Sequence, residues 1–384
     1  IREIFAIIYL ICKNGMKFAY SQYNNRILYF SNFYPTLLHF YIITFVMLKI
    51  PNNDKFLIDN YGRKIDYLRI SVTDRCNLRC TYCMPEKMKF MPKKDILSFD
   101  EMFELCEHFI ARGIRKIRIT GGEPLVRKGI LEFINNLNNF KNMNMLDEIT
   151  LTTNGTLLED YSRDLEASGI DRINISLDTL SEQNFEKITR RRDLKKVLRG
   201  IDLARKYKFK LKINTVVLKD NNIEEIPEII NWSHKKGMDI SLIETMPLGD
   251  VESDRYDQFF SINDMKRKIE SKFTLKKSPH KTSGPSDYYK VEETGRHIGF
   301  ITPLSNNFCS TCNRIRITCT GMLYMCLGQN DKIDFKSILR SKDYNKLDDA
   351  INLAMRIKPE KHEFSIIPKM KKHKIERHMS VTGG

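Results

Sequence analysis

Three cysteines stand at 76, 80 and 83 in the stretch "CNLRCTYC", with no fourth beside them in a chain that holds nine. Thiolates this close in sequence chelate metal, and three are one short of the four that close a structural zinc site. Three suffice for a cubane iron-sulfur cluster with one iron left open to a substrate. A zinc knuckle lacking a ligand is the competing reading. A second group, Cys309 and Cys312 with Cys326, again offers three ligands and one open iron. Cys319 is a candidate fourth ligand, which would make that site a closed cluster or a zinc site. Tight groups and an odd total argue against a secreted disulfide framework and for metal ligation in a reducing, cytoplasmic compartment. Cys106, on the apolar side of the helical pattern "FELCEHFI", reads as core.

Such ligands need elements to hold them. From residue 67 onward, β-rich runs alternate with helical patterns: "YLRISV", "KIRIT" at 116, "EITLTT" at 148, "RINISL" at 172, "KLKINTVV" at 210 and "DISLIE" at 239. Six βα units predict an α/β fold with a parallel sheet and right-handed crossovers, an open, TIM-like partial (β/α)6 barrel. Ser98 with Glu101 forms a capping box at the first helix, and Gly113, Gly169 and Gly237 mark helix ends. Ligands in such sheets gather at the C-terminal ends of the strands. The cysteine loop, "GGEP" at 121, "TTNG" at 152, Ser176 and Asp178, Lys212 and Asn214, and Glu244 with Met246 all fall there. Gly121 and Gly122 would let backbone approach a ligand, and Glu123 would accept from its ammonium group.

The second cysteine group reads as a hairpin, "RIRIT" turning near Thr320 and Gly321 and returning as "MLYMCL", which brings Cys326 back beside the start of the first strand. Alternation sends Arg314, Arg316 and Thr318 to one face and Ile315 and Ile317 to the other. Two arginines beside an open cluster suit bidentate capture of a phosphate.

The 384 residues, 41% hydrophobic and 29% charged, describe a soluble globular chain. A formal charge of +16 suits nucleic acid, a membrane surface or a small polyanion and does not choose among them. Three regions are expected: a hydrophobic extension over 1–46, the barrel over 47–285, and a C-terminal region over 286–384 carrying the second cysteine group and a Gly-Gly tail. Residues 27–48 hold no charged residue and are long enough to span a bilayer, but polar interruptions and the smooth reading from Met47 favour translated upstream sequence for 1–46 over a membrane anchor.

C-x3-C-x2-C after the first strand, Tyr82 before the third cysteine, and "GGEP" after the second strand resemble the radical S-adenosylmethionine enzymes. The resemblance implies that the free iron chelates the amino and carboxylate groups of S-adenosylmethionine, whose reductive cleavage gives a 5′-deoxyadenosyl radical. C-x2-C-x-R-x-R, a further cysteine after thirteen residues, and the ending "TGG" narrow this to the GTP 3′,8-cyclase family of molybdenum cofactor biosynthesis, over about 47 to 384. By that resemblance two 4Fe-4S clusters are held by Cys76, Cys80 and Cys83 and by Cys309, Cys312 and Cys326. S-adenosylmethionine meets Tyr82, Gly122, Glu123, Ser176 and Met246. GTP meets Arg69, Arg118, Thr152, Lys212 and Arg314 through Ile315 to Arg316, and Arg69, Gly383 and Gly384 join the catalytic step. An electron donor such as flavodoxin or ferredoxin, the next enzyme of the pathway (cyclic pyranopterin monophosphate synthase) and a homodimer are the implied partners, with no nucleic acid. Two rivals stand beside this: a radical enzyme with an auxiliary cluster modifying a peptide, and a zinc-stabilised nucleic-acid-binding protein.

Overall fold

Runs of isoleucine, leucine, threonine and valine become parallel strands in the computed structural model of the protein, which describes residues 56–249, 251, 255–365 and 375–383. Six of them are β1 (Tyr67–Ser71), β2 (Lys116–Thr120), β3 (Glu148–Thr153), β4 (Arg172–Ser176), β5 (Lys210–Val217) and β6 (Asp239–Glu244), side by side in chain order. Between them run α1 (Phe99–Ala111), α2 (Ile130–Asn142), α3 (Leu158–Ala167), α4 (Glu182–Thr189), α5 (Leu194–Ala204) and α6 (Ile226–Lys235). The rhythm matches the expected βα units, and the strand order is linear, so the barrel stays open.

Local signals act as their chemistry requires. Ser98 Oγ accepts from the Glu101 N–H at 3.0 Å while the Glu101 carboxylate accepts from the Ser98 N–H at 2.7 Å, which closes the capping box of α1. Gly113, at φ 94, takes the left-handed turn that ends the same helix.

The sheet also grows at both edges. After α7 (Arg255–Gln258) and α8 (Ile262–Glu270) come β7 (Leu275–Lys277), β8 (Asp287–Val291) and β9 (His297–Ile301); β9 pairs parallel with β6 and the other two extend it antiparallel. The sequence reading assigned no strand over 275–301. At the other edge β10 (Arg314–Ile317) pairs parallel with β1, followed antiparallel by β11 (Met322–Tyr324) and β12 (Lys332–Asp334). The helices α9 (Phe335–Arg340), α10 (Tyr344–Ile357) and α11 (Met379–Thr382) complete the described chain. The expected boundary at 285/286 thus falls inside the β7–β8 hairpin, with strands of one continuous sheet on both sides.

Pleating sorts the two faces. Leu68, Ile70, Ile117, Ile119, Ile173 and Ile315 are fully buried on the aliphatic face, each stabilising the fold by roughly 1.5–3 kcal/mol. The alternate positions, Arg69, Arg118, Thr152, Asn174, Lys212 and Arg316, form a polar, basic wall that is buried as well. Among the described residues no helix is long and apolar enough to cross a membrane, and the segment 27–48 lies outside them.

Candidate active site

The first cysteine loop leaves the C-terminal end of β1 and is clamped by the turn after β2. The Gly122 N–H donates to Thr73 O at 2.7 Å and the Glu123 N–H to Arg75 O at 2.8 Å. A Cβ on Gly121 would lie 2.5 Å from Thr73 O, and one on Gly122 would overlap the Arg75 carbonyl. The close approach of the cysteine loop itself therefore demands two glycines. Glu123 also serves the fold. Its carboxylate, fully buried, accepts from the Leu125 N–H at 3.1 Å, the Thr153 hydroxyl at 2.8 Å and the Asn154 N–H at 2.7 Å, and burial pushes it up to about 7. Those three donors tie the "TTNG" loop to the turn after β2. Asn154, a residue the sequence reading did not single out, then directs its amide at Cys76 Sγ, 3.7 Å away.

The opposite side of the loop is held by α4. The Arg79 and Thr81 N–H groups donate to Thr189 O and Ile188 O, both at 2.9 Å. Tyr82 donates to Asp178 Oδ2 at 2.7 Å, and the other Asp178 oxygen accepts from the Val216 N–H at 2.8 Å. Burial raises the Cys76 thiol to about 11 and lifts Cys80 well above the usual thiol value, so thiolates here need a cation beside them. Ser176 closes β4 in register with Asn214, whose Oδ1 is buried without a partner, and Met246 sits half-buried in the loop after β6. Glu244, flagged with the same rim, is spent on the fold, accepting from the Ile262 N–H at 3.1 Å and the Leu304 N–H at 2.9 Å.

The second group lies at the other end of the strands. Cys312 precedes β10, and the hairpin register of Arg316 with Tyr324 brings Cys326 back opposite Arg314, as expected. The Cys309 carbonyl accepts from Arg63 Nη1 at 2.7 Å. Lys358 Nζ donates to Met325 O at 2.7 Å and Arg314 O at 3.0 Å and lies 3.9 Å from Cys312 Sγ. Burial alone would raise Cys312, but Arg314 and Lys358 outweigh it and bring the thiol down to about 7. Cys326 feels Cys312 and Cys309, whereas Cys319 faces Asp74 and Arg127 beside the first loop, where burial raises it to about 12. Cys319 is thus remote from this trio, and its place as a fourth ligand has no geometric support.

Between the two ends runs the basic wall. Register sets Arg316, Arg69 and Arg118 side by side across β10, β1 and β2. Burial, then the neighbouring arginines, lower both Arg69 and Arg316, the latter to about 9. Asn174, in the amide orientation that satisfies both groups, accepts from both Arg118 terminal nitrogens at 2.9 Å, and Lys212 donates to Tyr288 OH at 2.8 Å. Thr152 Oγ1 and Arg118 Nε are buried with no partner. Crowded buried cations and orphaned polar atoms suit an anionic, hydrogen-bonding substrate. Ile315 is the exception among the expected contacts: strand alternation turns its side chain to the aliphatic face, leaving only its backbone for any contact. The C-terminus enters this wall. Gly383 O accepts from Arg316 Nη1 at 3.0 Å, and Thr382 and Ser380 are buried. Gly384 lies outside the described residues.

Comparison with known proteins agrees with these two halves. The Radical SAM superfamily profile matches residues 70–233 and the Molybdenum Cofactor Synthesis C profile matches 238–364. Proteins named GTP 3′,8-cyclase from Brucella canis and Brucella suis are 51% identical over 329 residues, which cover 85% of this chain and 96% of theirs. The chain belongs to the GTP 3′,8-cyclase family. The crystal structure of Streptococcus suis SuiB bound to S-adenosylmethionine shares the fold, with a TM-score of 0.54 at 15% identity over 76% of this chain and 69% of that one.

The cyclase family's implied groups fit the donor sets found here. Each cysteine trio offers soft ligands of the kind iron-sulfur clusters use. Among the described residues no three His, Cys, Asp or Glu side chains converge on one metal ion. Arg63 and Lys358, which position the second trio, carried no motif: their role is visible only once segments far apart in sequence meet.

Proposed function

We propose that this protein, a radical S-adenosylmethionine lyase of the GTP 3′,8-cyclase family, converts GTP to (8S)-3′,8-cyclo-7,8-dihydroguanosine 5′-triphosphate, the first step of molybdenum cofactor biosynthesis. The observation that carries the reading is the buried row Arg316, Arg69, Arg118 set between two cysteine trios. From the start of β10 to the first loop is about five strand residues, roughly 16 Å, enough for one nucleotide between two clusters. Cys76, Cys80 and Cys83 would hold one 4Fe-4S cluster, and Cys309, Cys312 and Cys326 the second. When bound, the first cluster and S-adenosylmethionine would supply the radical chemistry that takes hydrogen from the ribose C3′ and joins that carbon to guanine C8, one further electron and a proton giving the 7,8-dihydro product.

The chain's own part is binding and enclosure. Arg69, Arg118, Lys212 and the Arg314–Arg316 strand bind the triphosphate, with Thr152 donating through its orphaned hydroxyl. Tyr82, the Gly122 backbone, Ser176 and Met246 line the place of S-adenosylmethionine, with Tyr82 fixed by Asp178. The tail seated through Gly383 covers the site beside Arg316 and limits side reactions of a radical, and Gly384 would join the catalytic step as in the family. A flavodoxin- or ferredoxin-like donor would reduce the first cluster, and the cytoplasmic, dimeric enzyme would hand its product to cyclic pyranopterin monophosphate synthase. The test is anaerobic turnover of GTP deuterated at C3′: deuterium should appear in 5′-deoxyadenosine. Deuterium retained at C3′ while S-adenosylmethionine is cleaved would reject the reading.

A further inference from the structure

The tail is anchored at three places before it ends, and each belongs to a different part of the site. Ile375 O accepts from the Gly249 N–H at 2.9 Å, in the loop that carries Met246. Gly383 O accepts from Arg316 in the basic row at 3.0 Å. The third anchor is Arg377. Its Nη2 donates to Cys326 O at 3.2 Å and to Leu327 O, its Nη1 donates to Asn330 Oδ1 at 3.2 Å, and its guanidinium stacks 4.2 Å from the centre of the Tyr324 ring. One rigid fork thus grips the backbone of the loop that carries Cys326, two residues before α11 starts. A carbonyl grip of this kind reads loop shape. The carbonyl it grips belongs to the same residue whose thiol joins the second trio.

We infer that Arg377 is a positioning residue that makes the seat of Gly383 conditional on the shape of the Cys326 loop, so that a chain without its second cluster does not set its tail. The inference rests on the second-cluster reading, and the conditional link adds to it. The guanidinium recognises two main-chain carbonyls and a ring face. Lysine would keep the charge but lose the fork.

The experiment is hydrogen exchange read by mass spectrometry on the anaerobic, reconstituted full chain, with iron counted on the same samples. In Arg377→Ala, residues 379–383 should exchange about tenfold faster or more, while peptides from β1 to β5 keep their protection and iron stays at the wild-type value. Cyclised product per S-adenosylmethionine cleaved should fall by about tenfold, with cleavage itself retained, and Arg377→Lys should lie between. Cys326→Ala, with Arg377 intact, should also release the tail. Unchanged exchange at 379–383 in Arg377→Ala would overturn the proposal, and so would a loss of protection spread through the barrel, which would mark a general structural role. A protected tail in Cys326→Ala would overturn the link to the cluster loop. Wild-type protein with about four irons would overturn the second-cluster reading and with it the conditional link, while the Arg377→Ala exchange would still decide the strap.

Discussion

Replacing Gly383 by alanine tests the tail most directly. Gly383 has φ 74 and ψ 135, a region essentially closed to residues with a side chain, and occupying it would cost about 1–3 kcal/mol. A Cβ there would overlap Thr120 Cγ2 and lie 2.8 Å from Thr120 Oγ1 and 3.0 Å from Thr120 Cβ, at the end of β2, where the strand backbone cannot retreat. If the tail withdraws instead, the Arg316 contact to the Gly383 carbonyl is lost, a charged hydrogen bond worth about 1.5–3 kcal/mol. Either route disfavours the seated tail by about 1.5–3 kcal/mol, a roughly 10- to 150-fold drop in its occupancy. The assay is cyclised product formed per S-adenosylmethionine cleaved, under dithionite without oxygen. That ratio should fall at least about tenfold in Gly383→Ala, with iron content and GTP binding kept. Adding Thr120→Ala removes the overlap but not the φ cost, so the double variant should recover part of the ratio. A single variant that couples cleavage to cyclisation as the parent does would refute the argument.

Three further outcomes are expected. Arg118→Ala and Arg316→Ala should each weaken GTP binding about 10- to 150-fold by calorimetry, from a lost contact of about 1.5–3 kcal/mol; unchanged affinity would remove the wall from substrate binding. The protein should carry about eight irons, and the triple change of Cys309, Cys312 and Cys326 to alanine should leave about four; stoichiometric zinc in anaerobically purified protein would contradict this. His234, held by Thr294 Oγ1 at 2.7 Å, is pushed by burial down to about 4 from 6.5, so the folded state resists a proton that the unfolded chain accepts. Its contribution is complete above pH 6.5 and fades as pH falls toward 4, by up to roughly 3 kcal/mol. Urea melts should show that acid limb, and His234→Gln should flatten it.

The six parallel strands were legible because each is a β-branched run bounded by turn residues, and the α1 cap because Ser98 and Glu101 stand at the right offset. The edge strands were not. β7 is "LKK", three residues without an apolar alternation, and nothing local announces that β10 lies beside β1 rather than apart from the barrel. The same limit governs the site. Cysteine spacing and the Arg314–Arg316 alternation could be read from the residues themselves, Arg69 and Arg118 through the family resemblance alone, and Gly383 O lies against Arg316. Glu123 and Glu244 gather backbone N–H groups, a structural task that a carboxylate does not announce in one dimension. Cys319, near Cys326 along the chain, is carried away from it by the strand between them.

The parallel seam between β1 and β10 also has a temporal side. A ribosome releases β1 early and β10 roughly 250 residues later, a delay on the order of 10 to 50 s at typical rates of synthesis. For that interval the outer edge of "YLRIS" has no neighbour and offers its open backbone to any other nascent chain. The loop of Cys76, Cys80 and Cys83 meets its clamps from β2, β3 and α4 well before then. The trio of Cys309, Cys312 and Cys326 exists only after the seam has zipped, and its late strand is also the one that covers the exposed edge. Synthesis therefore completes the first cysteine trio before the second, and the strand that brings the second covers the open edge of β1.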